Sequence, residues 1–197
     1  MKKAAMFGLD ARIALAIFGA LSVISGAALY SAIQESKIVA IVTSMQEFAK
    51  AYEQYILDTG QGLPASAHNH DVSAQALVQN PGIPGWNGPY LPYEPIGSYS
   101  LTVGVNGVDF GYFIRTGIEP SNATTGSNDN IGCDGTRMCY IWVSFGLGDD
   151  ISIYEKLDQY IDNSDGLNVG KFRYYYKDSP VYRARYLIGP SMRDKQN

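Results

Sequence analysis

The amino-acid sequence predicts an α+β protein in which one long N-terminal helix packs on an antiparallel sheet of four or five strands. A helical pattern of apolar residues runs unbroken to about residue 58, and segments after residue 98 alternate apolar and polar residues. A segment rich in proline and glycine separates these two regions. The three observations together define the predicted fold class.

The first half of the helix is apolar on all sides. The 21 residues Ile13–Ile33 contain no charge, and a helix of that length measures about 31 Å, close to the thickness of the hydrocarbon layer of a bilayer. Lys2, Lys3 and Arg12 precede this segment. Because positive residues favour the cytoplasmic side, we expect the N-terminus in the cytoplasm and the rest of the chain across the membrane.

The second half of the helix is amphipathic. No proline occurs before Pro64, and apolar residues recur at intervals of three and four. We expect Gly60 to end the helix in a left-handed cap. The pattern predicts one buried face that consists of Ile38, Ile41, Val42, Met45, Phe48, Ala49, Tyr52 and Ile56.

The composition of the remaining chain indicates one acidic domain. About 135 residues follow Gly60, enough to bury a core. The formal net charge is −4, and because residues 1–12 contribute +2, the remainder carries −6. Such a domain gives no reason to expect nucleic-acid binding through a basic face.

Two cysteines, Cys133 and Cys139, are separated by five residues and predict a disulfide. A zinc site would need two further ligands, and the only histidines, His68 and His70, are distant in the sequence. A disulfide requires an oxidising compartment, which independently favours a location outside the cytoplasm.

The segment after the helix predicts a short helix and then an ordered loop. Asp71 is expected to cap a helix over Val72–Gln79. Residues 80–95 contain five prolines and three glycines, a density that excludes regular structure. Large aromatic side chains in this loop, Trp86, Tyr90 and Tyr93, are expected to hold it in place.

Alternating segments predict the strands of the sheet. A hairpin is expected around Asn106-Gly107, because a type I′ turn requires positive φ at both positions. Asp149 or Asp150 is expected to cap a second helix that buries Ile153, Leu157, Tyr160 and Ile161. The predicted strands are residues 98–105, 108–116, 139–146, 171–177 and 181–188.

The start of the chain resembles type IV pilins and type II secretion pseudopilins. In that family a peptidase removes a short basic leader, and the fifth residue of the mature chain is acidic. A cut between Ala5 and Met6 places Asp10 fifth, so the resemblance implies processing there and a role for Asp10 in assembly. The family usually has glycine before the cut and glutamate at the fifth position, where this chain has Ala5 and Asp10.

A second resemblance lies in the proline-rich loop. Trp86, Gly88, Pro89, Tyr90 and Leu91 are similar to a loop that follows the long helix in major pseudopilins. The resemblance implies a pilin-like fold. It divides the chain into a leader (1–5), a transmembrane and filament-core half-helix (6–33), an amphipathic half-helix (34–60) and an extracytoplasmic domain (61–197).

One acidic cluster is a candidate calcium site. Asp158, Asp162 and Asp165 offer the hard oxygen ligands that calcium prefers, and the resemblance adds that major pseudopilins carry calcium in a C-terminal loop. The segment is not an EF-hand, because placing Gly166 at the sixth loop position puts Ile161 first. The alternative is a helix cap followed by a solvated turn.

No catalytic arrangement is evident, so we expect a protein without enzymatic activity. His68, His70 and Asp71 could chelate a metal, so a metal enzyme that uses these residues is a third alternative, and a solvated turn is the other interpretation of this loop. The sequence offers no nucleophile with a base beside it.

The resemblance implies a structural filament subunit of a type IV pilus or of the type II secretion pseudopilus. Its expected partners are further copies, related minor subunits, a prepilin peptidase and an inner-membrane assembly platform. The expected location is the bacterial inner membrane and then a periplasmic or extracellular filament. The alternative function is a monomeric, membrane-anchored binding protein that uses the tyrosine-rich sheet and the loop 116–130.

Overall fold

A computed structural model describes residues 4–66, 71–105, 108–118, 139–167, 169–178 and 181–192. The chain is an α+β protein with a long N-terminal apolar helix followed by antiparallel strands. It divides into two compact units, Met1–Val39 and Ala40–Asn197. Each unit is described separately below.

The N-terminal helix α1 spans Ala4–Thr59 and contains 56 residues, which confirms the predicted long helix. In the first unit its side chains from Asp10 to Ile33 are all exposed. Large apolar side chains are among them, and Leu15, for example, is 70% exposed. The helix ends as predicted, because Gly60 takes a positive φ of 67° and its N–H donates to the Ile56 carbonyl at 2.8 Å.

In the second unit the remainder of α1 contributes to the core. The described side chains of the predicted face are buried at Ile41, Val42, Met45, Phe48 and Tyr52. The prediction for Ala49 and Ile56 was wrong, since both are only half-buried. Ala51 and Tyr55 are buried in their place, because the ring of Tyr55 packs edge-on against Tyr90 with centroids 5.9 Å apart.

Seven strands form in the described part of the chain, rather than the four or five predicted. The two additional strands, β1 and β2, have two and three residues and are too short to produce an alternating pattern. Because β2 includes Glu94 and Pro95, the prediction that residues 80–95 contain no regular structure was wrong at the end of that segment. All pairs are antiparallel, in the order β2-β3-β4-β5-β7-β6, with β1 pairing with β4. The strands are β1 (Asp71–Val72), β2 (Glu94–Ile96), β3 (Ser100–Val105), β4 (Val108–Ile118), β5 (Cys139–Phe145), β6 (Phe172–Asp178) and β7 (Val181–Pro190).

The predicted hairpin is confirmed, because Val105 of β3 pairs with Val108 of β4 across a two-residue connection. Asn106-Gly107 itself lies outside the described residues. The closing strands β6 and β7 are also confirmed. Strand β7 pairs with β5, so β6 lies at the edge of the sheet.

Alternation along β5, β6 and β7 gives this part of the sheet two different faces. The core face carries Ile141, Val143, Phe145, Phe172, Tyr174, Ala184 and Tyr186, all buried. The opposite face carries Trp142, Ser144, Arg173, Tyr175 and Arg185, which are also buried. Phe172 and Tyr174 therefore lie on one face of β6, and Arg173 and Tyr175 lie on the other.

The predicted helix over Val72–Gln79 was wrong. Asp71 and Val72 form β1 and pair with Arg115 and Ile114 of β4, so this backbone joins the sheet. Only a short 3₁₀ helix, Ala74–Leu77, follows. Its N-cap residue is Ser73 instead of Asp71, and the Ser73 side chain makes no capping bond.

The proline-rich loop is ordered by its aromatic residues, as predicted. Trp86 Nε1 donates to the Ala76 carbonyl at 2.7 Å, and Tyr90 N donates to the Leu77 carbonyl at 2.7 Å. The Tyr93 ring lies 5.5 Å from the Phe48 ring on α1. These contacts fix the loop against both the 3₁₀ helix and α1.

The second helix, α2, spans Ile151–Asp162, and Asp150 caps it by accepting a bond from Ser152 N at 2.9 Å. This confirms the predicted cap. The predicted buried face was wrong in part: Leu157 is buried, but Tyr160 is 55% exposed, and Ile153 and Ile161 are half-buried.

Tyr154 and Asp158 complete the buried face of α2 instead. The ring of Tyr154 packs against Tyr174 of β6 with centroids 5.9 Å apart, and its hydroxyl accepts a bond from Leu147 N at 2.7 Å. These two contacts turn the helix away from the face that hydropathy predicts.

Candidate functional site

The first functional element is the exposed half of α1. Among the described residues, it is the one helix long and apolar enough to cross a membrane, with a mean hydropathy of 2.1 over its most apolar window and none of that window buried. The predicted cut between Ala5 and Met6 falls in its first turns, and the Asp10 side chain is exposed. Asp10 therefore lies at the start of a long, exposed apolar segment that extends to Ile33.

The predicted disulfide involves Cys139, the first residue of β5. Cys139 is buried and disulfide-bonded. Its expected partner, Cys133, lies outside the described residues, as do His68 and His70.

The second functional element is an acidic cluster at the C-terminal end of α2. Asp158 and Asp162 lie one helical turn apart, and Asp165 follows in the turn after the helix. One carboxylate oxygen from each residue lies within 4.8 Å of the others. The structure therefore brings together the three residues that the sequence suggested.

A tight reversal of the chain produces this cluster. Asn163 and Ser164 both take left-handed conformations, with φ values of 57° and 61°, and Asn163 N donates to the Asp158 carbonyl. This reversal turns Asp165 back towards the helix. On the other side, the Asp162 Oδ2 atom accepts a bond from Phe172 N at 2.6 Å, which links the cluster to β6.

The last turn of α2 contains no basic residue that could balance the charge of the cluster. The C-terminal end of a helix is the negative end of its dipole and favours cations, yet three carboxylates converge there. Asp158 is only 3% exposed, and its Oδ1 atom has no hydrogen-bond partner. Burial raises the pKa of Asp158, and the neighbouring charges of Asp165 and Asp162 raise it further.

A close backbone approach encloses the cluster. A Cβ atom on Gly170 would lie 2.5 Å from Asp162 Oδ2 and 2.7 Å from Asp165 Oδ2, so a side chain there would displace both carboxylates. The three carboxylates, one of which has a buried oxygen atom without a hydrogen-bond partner, suit a hard divalent cation such as calcium. Calcium takes its further ligands from backbone carbonyls and water. Sequence reasoning identified the carboxylates but missed both the burial of Asp158 and the contact of Gly170.

No family model matches the chain, and no curated protein or solved structure resembles it significantly.

Asp158 predicts a pH dependence in the metal-free protein. Because the pKa of Asp158 is raised in the folded state, the folded protein binds more protons than the unfolded protein above about pH 4. The free energy of unfolding therefore falls as the pH rises from about 4 towards the raised pKa. Asp158→Asn removes this penalty and should raise the free energy of unfolding near neutral pH.

Melting curves of the chelator-treated full chain in detergent, recorded between about pH 4 and pH 7, test this expectation. The advantage of the variant over the wild type should shrink as the pH falls. An advantage independent of pH would contradict the inferred burial of a charged Asp158.

Proposed function

We propose that the protein is a structural subunit of a type IV pilus-like or type II secretion filament. One observation carries the proposal: α1 leaves a continuous apolar surface from Asp10 to Ile33 exposed, whereas its residues after Ala40 build the core of a folded domain. Such a helix has two environments available, a lipid bilayer and a bundle of the same helices from other copies.

Assembly follows from the difference between these two environments. In lipid, little hydrophobic free energy is gained when apolar helices associate, because the lipid chains are equally apolar. Outside the membrane the same surface faces water, where burial contributes about 25 cal/mol for each Å². A platform that extracts the subunit therefore drives the exposed half-helix into contact with its neighbours.

The remaining features support the same function. A cut between Ala5 and Met6 by a prepilin peptidase creates a new N-terminus, with Asp10 as the fifth residue. The disulfide at Cys139 suits an extracytoplasmic domain. The partners in this proposal are further copies, minor subunits and the inner-membrane platform.

Two measurements on cells that make the protein test the proposal. Electron microscopy of material sheared from the cell surface should reveal thin filaments that contain this chain. Mass spectrometry of the filament subunit should find a methylated Met6 at its N-terminus. An intact Met1 and no filaments would favour the monomeric, membrane-anchored binding protein instead.

We also propose that Asp158, Asp162 and Asp165 hold calcium. The orphaned Asp158 Oδ1 and the close approach of Gly170 support this assignment. When bound, the ion supplies the positive charge that the helix end lacks. Because Asp162 also accepts the bond from Phe172 N, the same carboxylate would couple the ion to the edge of the sheet.

We expect calcium to stabilise the full chain in detergent. At a free concentration a hundred times the dissociation constant, binding adds about 2.7 kcal/mol, which raises the melting temperature by roughly 5–10 °C for a chain of this size. Calorimetric titration and melting with and without a chelator measure this effect.

Asp158→Asn should abolish the calcium response. Glu155→Gln is the matched control, since Glu155 lies exposed on the same helix and its loss removes one charge without removing a ligand. No heat and no change in the melting temperature of the wild type would contradict the calcium proposal.

A further inference from the structure

The outer edge of β6 is covered by the turn that follows α2. Among the described strands, only β7 pairs with β6, so the other side of β6 is an edge of the sheet. Leu187 N of β7 donates to the Lys171 carbonyl at 2.8 Å. Backbone groups in an antiparallel pair point alternately towards and away from the partner strand, so the amides of Phe172 and Tyr174 point to the outer edge.

Both of these outward amides have acceptors beside the acidic cluster. Phe172 N donates to Asp162 Oδ2 at 2.6 Å, and Tyr174 N donates to the Leu167 carbonyl at 3.1 Å. We call residues 163–167, which follow Asp162 and end at Leu167, the edge turn. Neither acceptor belongs to a strand. The cover of this edge, whose uncovered groups could pair with another chain, therefore depends on the position of the edge turn.

The acidic cluster holds the edge turn against α2. The backbone N–H of Gly166 donates to the carboxyl group of Asp158, which anchors the residue next to Leu167. Asp165 lies in the same turn, and one of its carboxylate oxygens is within 4.8 Å of an oxygen from Asp158 and one from Asp162. The position of the edge turn is therefore set by the same three carboxylates that form the candidate calcium site.

The charges of these carboxylates oppose the arrangement. Like charges at such short distances repel each other, and Asp158 Oδ1 has no hydrogen-bond partner although the residue is only 3% exposed. Asp165 is exposed, so the repulsion can move it outwards, whereas Asp158 is fixed in the buried face of α2. Movement of Asp165 displaces Leu167, two residues further on, and weakens its bond to Tyr174 N.

We propose that calcium bound to Asp158, Asp162 and Asp165 holds the edge turn in place and thereby keeps the outer edge of β6 covered. This inference rests on the calcium site proposed above. Asp162 can serve both the ion and the strand, because a carboxylate has about four acceptor positions and only one is used by Phe172 N. Removal of calcium releases the edge turn and uncovers this edge, whereas the bonds between β6 and β7 persist.

Amide hydrogen exchange along β6 tests this inference, because successive residues report on opposite sides of the strand. Nuclear magnetic resonance of the ¹⁵N-labelled full chain in detergent compares exchange in calcium with exchange in a chelator. The amides of Phe172 and Tyr174 should exchange roughly tenfold faster, or more, in the chelator, because they are protected by the edge turn. The amides of Arg173 and Tyr175, which point towards β7, should change by less than about twofold.

A pair of matched variants connects the effect to the cluster. Asp165→Asn removes one charge and one proposed calcium ligand but neither acceptor of the two outward amides. Calcium should then no longer slow the exchange of Phe172 and Tyr174. Asp149→Asn is the control, since it makes the same substitution at an exposed aspartate beside the opposite end of α2 and should leave the calcium effect unchanged.

Two results would overturn the inference, and they have different meanings. If calorimetry shows calcium binding but all four β6 amides respond equally, the calcium site stands and its control of the edge is wrong. If calorimetry shows no binding, the calcium proposal fails and this inference fails with it. Should Asp165→Asn not fold, the wild-type comparison of the four amides alone decides.

Discussion

Replacement of Asp10 by alanine should reduce filament yield at least a hundredfold while the membrane-inserted monomer persists. The monomer persists because the apolar segment Ile13–Ile33, which provides the insertion free energy, is unchanged. The filament is lost because the proposed assembly places a buried carboxylate beside the positive N-terminus of the processed chain or of a neighbour. This is the largest functional effect that we expect from a single substitution.

The magnitude follows from the burial of the proposed pair. Removing one partner of a buried ion pair costs about 3–5 kcal/mol, because the other charge is left unpaired. Each 1.4 kcal/mol is a factor of about ten in an association constant. A loss of this size at every subunit contact is therefore sufficient to prevent growth of the filament.

Two control variants isolate the role of the charge. Asp10→Glu keeps the carboxylate and should keep the filaments, whereas Arg12→Ala removes a charge of the opposite sign two residues away. Filaments are counted in sheared material by electron microscopy, and the monomer is measured in the membrane fraction by immunoblotting. A normal filament yield for Asp10→Ala would show that Asp10 does not have the assembly role proposed for it.

The hydrophobic period located α1 and most of its buried face, but the C-terminal part of that face depends on partners distant in the sequence. From Ile41 to Phe48 every side chain of the predicted face is buried. After Phe48, Tyr55 is buried and Ile56 is only half-buried, because Tyr90 of the proline-rich loop packs against the tyrosine ring. Hydropathy ranks isoleucine above tyrosine and cannot include that contact.

The acidic cluster illustrates the same limit in the candidate site. Spacing placed Asp158 and Asp162 on one side of α2, and Asp165 followed closely. The burial of Asp158 could not be predicted, because an acid is expected on the exposed side of an amphipathic helix. It results from the packing of Tyr154 against β6, which rotates Asp158 inwards.

The strand order depended on long-range pairing as well. The alternation predicted β5, β6 and β7 as strands, but sequence order alone would not place β7 between the other two. That order brings Ser144, Arg185 and Arg173 into one row. The composition of the sheet face opposite the core therefore depends on the strand order, and the alternating pattern of β6 alone does not indicate it.

Gly85→Ala should be among the most destabilising substitutions in the proline-rich loop, lowering the free energy of unfolding by about 3–5 kcal/mol. Gly85 has a φ of +84°, which costs a residue with a side chain roughly 1–2 kcal/mol. In addition, its Cβ atom would overlap the Asp58 carbonyl oxygen and lie 3.5 Å from Thr59 Cα. These atoms are backbone at the end of α1 and cannot move aside as a side chain could.

Gly82→Ala is a closely matched control. Gly82 has a φ of +82°, and a Cβ atom there would meet nothing within 4 Å, so only the backbone term applies. With about 2–4 °C for each kcal/mol in a chain of this size, the melting temperature should fall roughly 10 °C for Gly85→Ala and only a few degrees for Gly82→Ala. Equal losses would mean that the loop does not rest against Asp58, whereas the expected difference measures how firmly the loop holds the end of α1 in the domain core.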